Sequence, residues 1–200
     1  MVILQVIICL LIGYLAGTFL PAALLSKKIK GKDISEIGSG NPGMANVMAN
    51  IGKREGALVL AGDVLKVAAA CLIAWLLTWD MQLKEVVRWT GFSAILGHDF
   101  PVWRHFRGGK GVAVTCTWLV FSMPIWGSIS CAVGGIVTLA TGYLPLGSVL
   151  IPLLAIIPSF VFCGTAFGIL VCLSFAVMVM RNRTGLINIF KGSEKKRFRR

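Results

Sequence analysis

Charge is scarce in this chain. Of its 200 residues only 8 are Asp or Glu and 20 are Lys or Arg, whereas 56% are hydrophobic and the mean hydropathy is +0.83. Soluble domains carry about 25% charged residues, so the 14% found here excludes one and points to a polytopic membrane protein. Histidine is scarcer still, at His98 and His105 only, and no G-x-S-x-G run occurs. A Ser-His-Asp or Cys-His nucleophile, and with it a covalent acyl-enzyme, is therefore not expected. The six cysteines include no C-x-x-C pair and no histidine at ligand spacing, so they are expected to pack as small apolar residues, without metal or disulfide. No basic residue precedes Lys27; the first apolar run thus lacks the charged front of a cleaved signal and is expected to be a retained helix. No internal repeat suggests a duplicated transporter. The net charge of +12 falls in short loops and a tail, which fits contact with anionic lipid or an anionic substrate rather than nucleic acid.

What is present is a series of apolar runs separated by basic loops. Val2 to Leu25 is long enough to span a bilayer and stops at Ser26-Lys27-Lys28. Ser26 to Gly56 is a polar, lysine-rich cytoplasmic segment, Ala57 to Thr78 a second span, and Asp80 to Glu85 an external turn. Val86 to Gly97 is short for a span unless it begins at Leu83 and lets its charged residues snorkel. The uncharged run Val112 to Ala140 is broken by Pro124 into Val112 to Ser122 and Ile125 to Ala140. Leu146 to Phe160 and Phe162 to Met180 complete the spans, leaving a basic cytoplasmic tail at 181–200. Seven spans put every basic cluster on one face. The expected fold is therefore all-α, a single membrane-embedded domain of about seven transmembrane helices, with its N-terminus outside and its C-terminus cytoplasmic.

Polar chemistry concentrates between Gly97 and Val114, where Arg107-Gly108-Gly109-Lys110-Gly111 leads into an apolar helix. Glycines bring bare backbone close to a ligand, and a helix start adds unpaired N–H groups and partial positive charge. A phosphate or carboxylate fits there, with Arg107 and Lys110 as full charges and His98 close by in sequence. Gly111 follows Lys110 where a P-loop has Ser or Thr, so no nucleotide reading follows. A second glycine-rich stretch, Gly38-Ser39-Gly40-Asn41-Pro42-Gly43, reads as a helix start with Asn41 at the N-cap and Pro42 at the first helical position. Two such sites on one membrane face suit a doubly anionic ligand or two phosphate-bearing ligands. Asp63 and Lys66, three apart on one helix face in apolar sequence, read first as a buried ion pair that orients the site. Arg183 follows the last span as a candidate ligand, with Glu194 beyond it.

Taken in order, the Gly38-to-Gly43 motif, Asp63 and Lys66, Gly97-His98-Asp99-Phe100-Pro101 with Gly108-Gly109-Lys110-Gly111, and Gly192-Ser193-Glu194 resemble the bacterial membrane glycerol-3-phosphate acyltransferases that use acyl phosphate. The resemblance covers nearly the whole chain. It implies transfer of a fatty acyl group from acyl phosphate to glycerol 3-phosphate, giving lysophosphatidic acid, at a bacterial cytoplasmic membrane. It implies no metal, nucleotide or other cofactor, and a partner enzyme that forms the acyl phosphate. Ser39 and Lys110 take the positions of phosphate-binding catalytic residues; Gly108, Gly109 and Gly111 take those of the glycerol 3-phosphate cradle. Gly38, Gly40, Asn41, His98, Arg107 and Arg183 are further substrate-binding candidates, with Asp63, Lys66 and Glu194 as support. The chain departs from the family pattern at Ala45 for Thr, Ala49 for Arg, Asn182 for His, Gly185 for Asn and Asn188 for Arg. Two other readings stay open: a catalytically silent relative that binds a phosphorylated ligand or the partner enzyme, and an anion transporter.

Overall fold

The computed structural model describes residues 2–196. Met1 and the end of the basic tail, residues 197–200, lie outside the described residues. The regular structure of the described residues is helical: α1 (Val2–Thr18), α2 (Pro21–Lys30), α3 (Met44–Asn50), α4 (Lys53–Leu77), α5 (Leu83–Asp99), α6 (Val112–Ser122), α7 (Pro124–Thr141), α8 (Leu144–Cys163) and α9 (Thr165–Phe190), with short 3-10 turns at Ile34–Glu36 and Val102–Arg104. Among the described residues five stretches are long and apolar enough to cross a membrane, the first running through α1 and α2, the others being α4, α7, α8 and α9. The expected break at Pro124 is found, since α6 ends at Ser122 and Pro124 opens α7.

Three boundaries differ from expectation. The first apolar run is two helices, because Pro21 lacks an N–H and drives Leu20 to extended backbone (φ −113°, ψ 96°); α2 then continues to Lys30, where Gly31 closes it in the left-handed region. Pro42 opens no helix: α3 begins at Met44 with Gly43, not Asn41, at its N-cap. At the other end α9 continues to Phe190, so Arg181 and Arg183 lie inside a helix rather than beyond one.

The chain forms two compact units that divide at Val114–Thr115. In the first, α1, α4 and α5 pack closely because small residues let backbones approach. A Cβ at Gly13 would collide with Thr90 O and Ser93 Oγ, one at Gly17 with Ala94 O, and one at Gly97 with Tyr14 O. Cys9, Ala74 and Val86 fill the core around this contact. α5 begins at Leu83 and buries most of its length, including Thr90, Ser93, His98 and Asp99; its polar residues face protein, which is why it lacks the apolar signature of a lipid-facing span. In the second unit the same device joins α7 to α8, where a Cβ at Gly147 would meet Thr138 Oγ1 and Gly134 O. Trp118 meets Phe167 edge to face at 5.3 Å between ring centroids.

Candidate functional site

The site grows from the C-terminal end of α5. A helix end leaves carbonyls without partners, and here three of them, Leu96, His98 and Asp99, find one in the loop. Phe100 N–H donates to Leu96 O (2.8 Å), Gly109 N–H to His98 O (2.9 Å) and Gly108 N–H to Asp99 O (3.2 Å). Tyr14 Oη of α1 donates to Phe100 O (2.8 Å). Two glycine N–H groups that the sequence offers to a ligand are thus committed to α5, and Gly108 and Gly109 contribute loop shape instead. Both are buried; a Cβ at Gly108 would strike His98 O, and one at Gly109 would strike the His98 ring at Nε2. Gly111 adopts φ +66°, and a Cβ there would lie 2.9 Å from Asp99 Oδ1. The fully buried carboxylate of Asp99 therefore adjoins the start of α6, where negative charge is favoured. Lys110, half-buried, stands between these two glycines, whereas Arg107 is exposed.

Beneath this loop lies the Asp63–Lys66 pair that the sequence anticipates, together with a partner it does not disclose. Lys66 Nζ donates to Gly17 O (3.2 Å) and Phe19 O (2.9 Å), carbonyls at the break between α1 and α2, and lies 2.8 Å from His98 Nδ1. An ammonium has three hydrogens and no acceptor. Nδ1 is therefore the acceptor, and the imidazole hydrogen is placed on Nε2, the edge that adjoins Gly109. Asp63 Oδ1 sits 2.8 Å from Nζ and supplies its counter-charge. Only the i, i+3 spacing of Asp63 and Lys66 was legible; the role of the Pro21 break in supplying carbonyls required the fold.

The first glycine-rich loop is organised by Asn46, which is buried on α3. Its Oδ1 accepts from Ser39 N–H (3.0 Å) and its Nδ2 donates to Ile37 O (2.9 Å); Asn50 Nδ2 donates in turn to Asn46 Oδ1 (3.0 Å). Gly38 (φ +56°) and Gly40 (φ +70°) are required by left-handed backbone, and a Cβ at Gly38 would also press on Asn46 Oδ1. Ser39 is left exposed at the tip, and Asn41 O accepts from Gly43 N–H (2.9 Å). Asn46, not Asn41, is the organising amide. The i, i+4 pair Asn46 and Asn50 beside a glycine turn was the available signal.

The two loops are tied to one another. Arg104 Nη2 lies 2.6 Å from Asp33 Oδ1 and Nη1 lies 3.1 Å from Asp33 Oδ2, a bidentate pair. Asp33 also accepts from Ser35 N–H (2.9 Å) and Ser35 Oγ (2.7 Å), fixing the 3-10 turn that precedes Gly38. The guanidinium, then these Ser35 donors, hold the Asp33 carboxyl well below the usual carboxylate range.

Arg183 and Glu194 belong to the second unit. Arg183 is exposed on α9. Beyond that helix Glu194 N–H donates to Asn188 O (3.1 Å), and Asn188 Nδ2 donates to Glu194 Oε2 (3.4 Å). A Cβ at Gly185 would collide with the Pro145 ring, so the two elements touch there. Asn182 is buried and donates to Met178 O (3.0 Å).

The described residues thus hold several helices long and apolar enough to cross a membrane, with two glycine-rich loops tied by an ion pair and a buried Asp63–Lys66 pair nearby, the class of a multi-pass membrane protein. The chain belongs to the glycerol-3-phosphate acyltransferase family, whose model matches residues 7–192. It is similar to "Glycerol-3-phosphate acyltransferase 1" of Lactobacillus johnsonii, 34% identical over 94% of this chain and 91% of the relative. It is also similar to "Glycerol-3-phosphate acyltransferase" of Bacillus subtilis, 33% identical over 94% and 95%. Among solved structures it resembles PlsY (YgiH), an integral membrane glycerol 3-phosphate acyltransferase. The glycerol 3-phosphate form superposes with a TM-score of 0.83 at 29% identity, over 96% of this chain and 94% of that one. A second PlsY structure, the lysophosphatidic acid form, gives 0.80 at 27% identity.

Proposed function

We propose that the protein transfers a fatty acyl group from acyl phosphate to a hydroxyl of glycerol 3-phosphate, releasing inorganic phosphate and lysophosphatidic acid. Family membership supports the acceptor and product, since the PlsY structures are named for their glycerol 3-phosphate and lysophosphatidic acid forms. The tie between the Ser39 and Lys110 loops carries the reading for this chain. Lys110 neutralises phosphate charge, Ser39 donates from the first loop, and Gly108, Gly109 and Gly111 keep the loop close to the substrate. Acyl phosphate is a mixed anhydride with a good leaving group, so alignment and charge neutralisation supply most of the catalysis. The hydroxyl oxygen bonds to the acyl carbon, the carbon–oxygen bond to phosphate breaks, and the hydroxyl proton passes to a phosphate oxygen. His98 is not that base in this reading, because its Nδ1 is already engaged by Lys66 Nζ at 2.8 Å.

The remaining assignments follow from the same reading. Arg183 is the candidate phosphate cation of the second unit, with Glu194 supporting the end of α9. The chain acts as one membrane-embedded domain of seven spans in a bacterial cytoplasmic membrane, counting α5 and α6 with the five apolar stretches. Its N-terminus is outside, and the acyl-phosphate-forming enzyme delivers substrate at the inner face. The test is purified protein in lipid with palmitoyl phosphate and labelled glycerol 3-phosphate. Lysophosphatidic acid is expected from the wild type and about 100-fold less from Lys110→Ala, the scale of one lost charge-stabilising donor. An undiminished Lys110→Ala rate overturns the role of Lys110, and glycerol 3-phosphate binding without product by the wild type favours the silent relative.

A further inference from the structure

The pair formed by Asp33 and Arg104 is 71 residues apart in sequence and touches neither α1 nor α4 in any hydrogen bond given above. What it joins is functional in placement. Asp33 starts the 3-10 turn Ile34–Glu36 and is followed within the same loop by Gly38, Ser39 and Gly40. Arg104 ends the 3-10 turn Val102–Arg104 and is followed by His105 and Phe106, both non-glycine residues in the left-handed region (φ 50° and 60°), and then by Arg107 to Gly111. Two consecutive left-handed non-glycine residues cost energy that surrounding contacts must hold in place. Arg104 N–H donates to Pro101 O (3.1 Å) and Phe106 N–H to the same carbonyl (3.0 Å), so the guanidinium is mounted on the turn that sets the path of the Lys110 loop.

We propose that Asp33 and Arg104 are positioning residues: their bidentate ion pair clasps the two glycine-rich loops at one spacing, so that Ser39 and Lys110 act on one phosphate. The inference rests on the reading of Ser39 and Lys110 as phosphate anchors. A planar guanidinium engaging both carboxylate oxygens fixes orientation as well as distance, which a lysine at 104 cannot do. Neither residue reaches the reacting atoms in this scheme. Loss of the clasp leaves each loop intact in sequence but lets them part, and a ligand gripped by both is bound less well before it reacts less fast.

The first readout is independent of turnover. Amide hydrogen exchange of the full-length protein in nanodiscs is compared for wild type and Arg104→Gln, following residues 35–40. Ser35, Ser39 and Gly40 N–H groups are hydrogen-bonded there, none of them to Arg104. Faster exchange of this segment in Arg104→Gln supports the clasp; unchanged exchange overturns it. The second readout is kinetic, with glycerol 3-phosphate varied at saturating palmitoyl phosphate. Asp33→Asn and Arg104→Gln are each expected to raise KM about tenfold with kcat within about threefold, the pattern of weakened binding rather than lost chemistry. The exchanged pair Asp33→Arg with Arg104→Asp is expected to lower KM again relative to either single charge change, Asp33→Arg or Arg104→Asp. Unchanged KM in the two neutralised variants, or no recovery in an exchanged pair whose thermal unfolding matches wild type, overturns the clasp. A wild type that makes no product sinks the phosphate-transfer reading instead, and the exchange experiment still decides whether the loops are clasped.

Discussion

Lys66 shows how much one buried charge can be asked to hold. Its three hydrogens go to Gly17 O, Phe19 O and His98 Nδ1, so it closes the broken end of α1, spans to α5 and sets the imidazole tautomer. Lys66→Met removes all of this and leaves Asp63 buried without counter-charge, a change that costs about 3–5 kcal/mol when one member of a buried pair is deleted. The expected result is a lower unfolding temperature in detergent, and the double variant Asp63→Asn with Lys66→Met should recover part of that loss. Activity should not recover with it, because His98 is no longer fixed by Lys66. Asp33 makes a different prediction, on pH. Its carboxyl is held below the usual value, so the ion pair contributes fully above an ordinary carboxylate pKa of about 4 and is lost only as pH falls through the lowered value. KM for glycerol 3-phosphate should thus show no step attributable to Asp33 between pH 5 and 8; such a step, absent in Asp33→Asn, would count against the assignment.

Elements are held together here by what glycine omits. Gly13, Gly17 and Gly97 bring α1 and α5 to backbone contact, and a side chain at any of them needs the helices to move apart. Gly17→Leu is expected to be the severest, since it would part α1 from Ala94 while shifting the Gly17 carbonyl away from Lys66. Loss of a monodisperse peak on size exclusion checks this, with exposed Gly135→Leu, whose Cβ meets nothing nearby, as a control expected to behave like wild type. These contacts also show what a linear reading can and cannot reach. The break at Pro124 and the Asp63–Lys66 pair were legible because each depends on neighbours in sequence. The path of α9 through Arg181 and Arg183 was missed because charge is a topology signal, not a helix breaker, and nothing local stops the helix before Gly192. Asn41 was taken for the cap because Asn-Pro is a strong local signal, whereas the fold uses Asn46, whose partners Ile37 and Ser39 lie across the loop. Likewise, no spacing rule links Asp33 to Arg104.

At the scale of the molecule, the distribution of charge and the lengths of the helices argue for one topology. α6 has 11 residues, about 16 Å long, against a hydrocarbon core of about 30 Å. Only Met123 separates it from α7, which Pro124 opens, and its start at the Gly111 loop is stocked with polar groups. The proposed seven-span topology expects the loops at residues 31–52 and 100–111 and the segment from Arg181 onward on one side of the membrane, and the turns at 78–82 and Gly164 on the other. The first group carries Lys32, Arg104, Arg107, Lys110 and Arg183; the other side carries Asp80 in the turn at 78–82, with Lys84 and Glu85 just beyond it at the start of α5, and Gly164 is uncharged. That asymmetry follows the positive-inside rule. Single cysteines in a background cleared of the six native thiols test it in intact cells with a membrane-impermeant maleimide. Asp80→Cys and Gly164→Cys should label from outside, and Lys32→Cys and Ser193→Cys only after permeabilisation. Labelling of residues 164 and 193 with sides reversed, while 32 and 80 keep theirs, would mean that α6 and α7 together make one crossing, which would put the Arg183 segment on the face opposite Lys110 and remove it from any part in binding the same substrate.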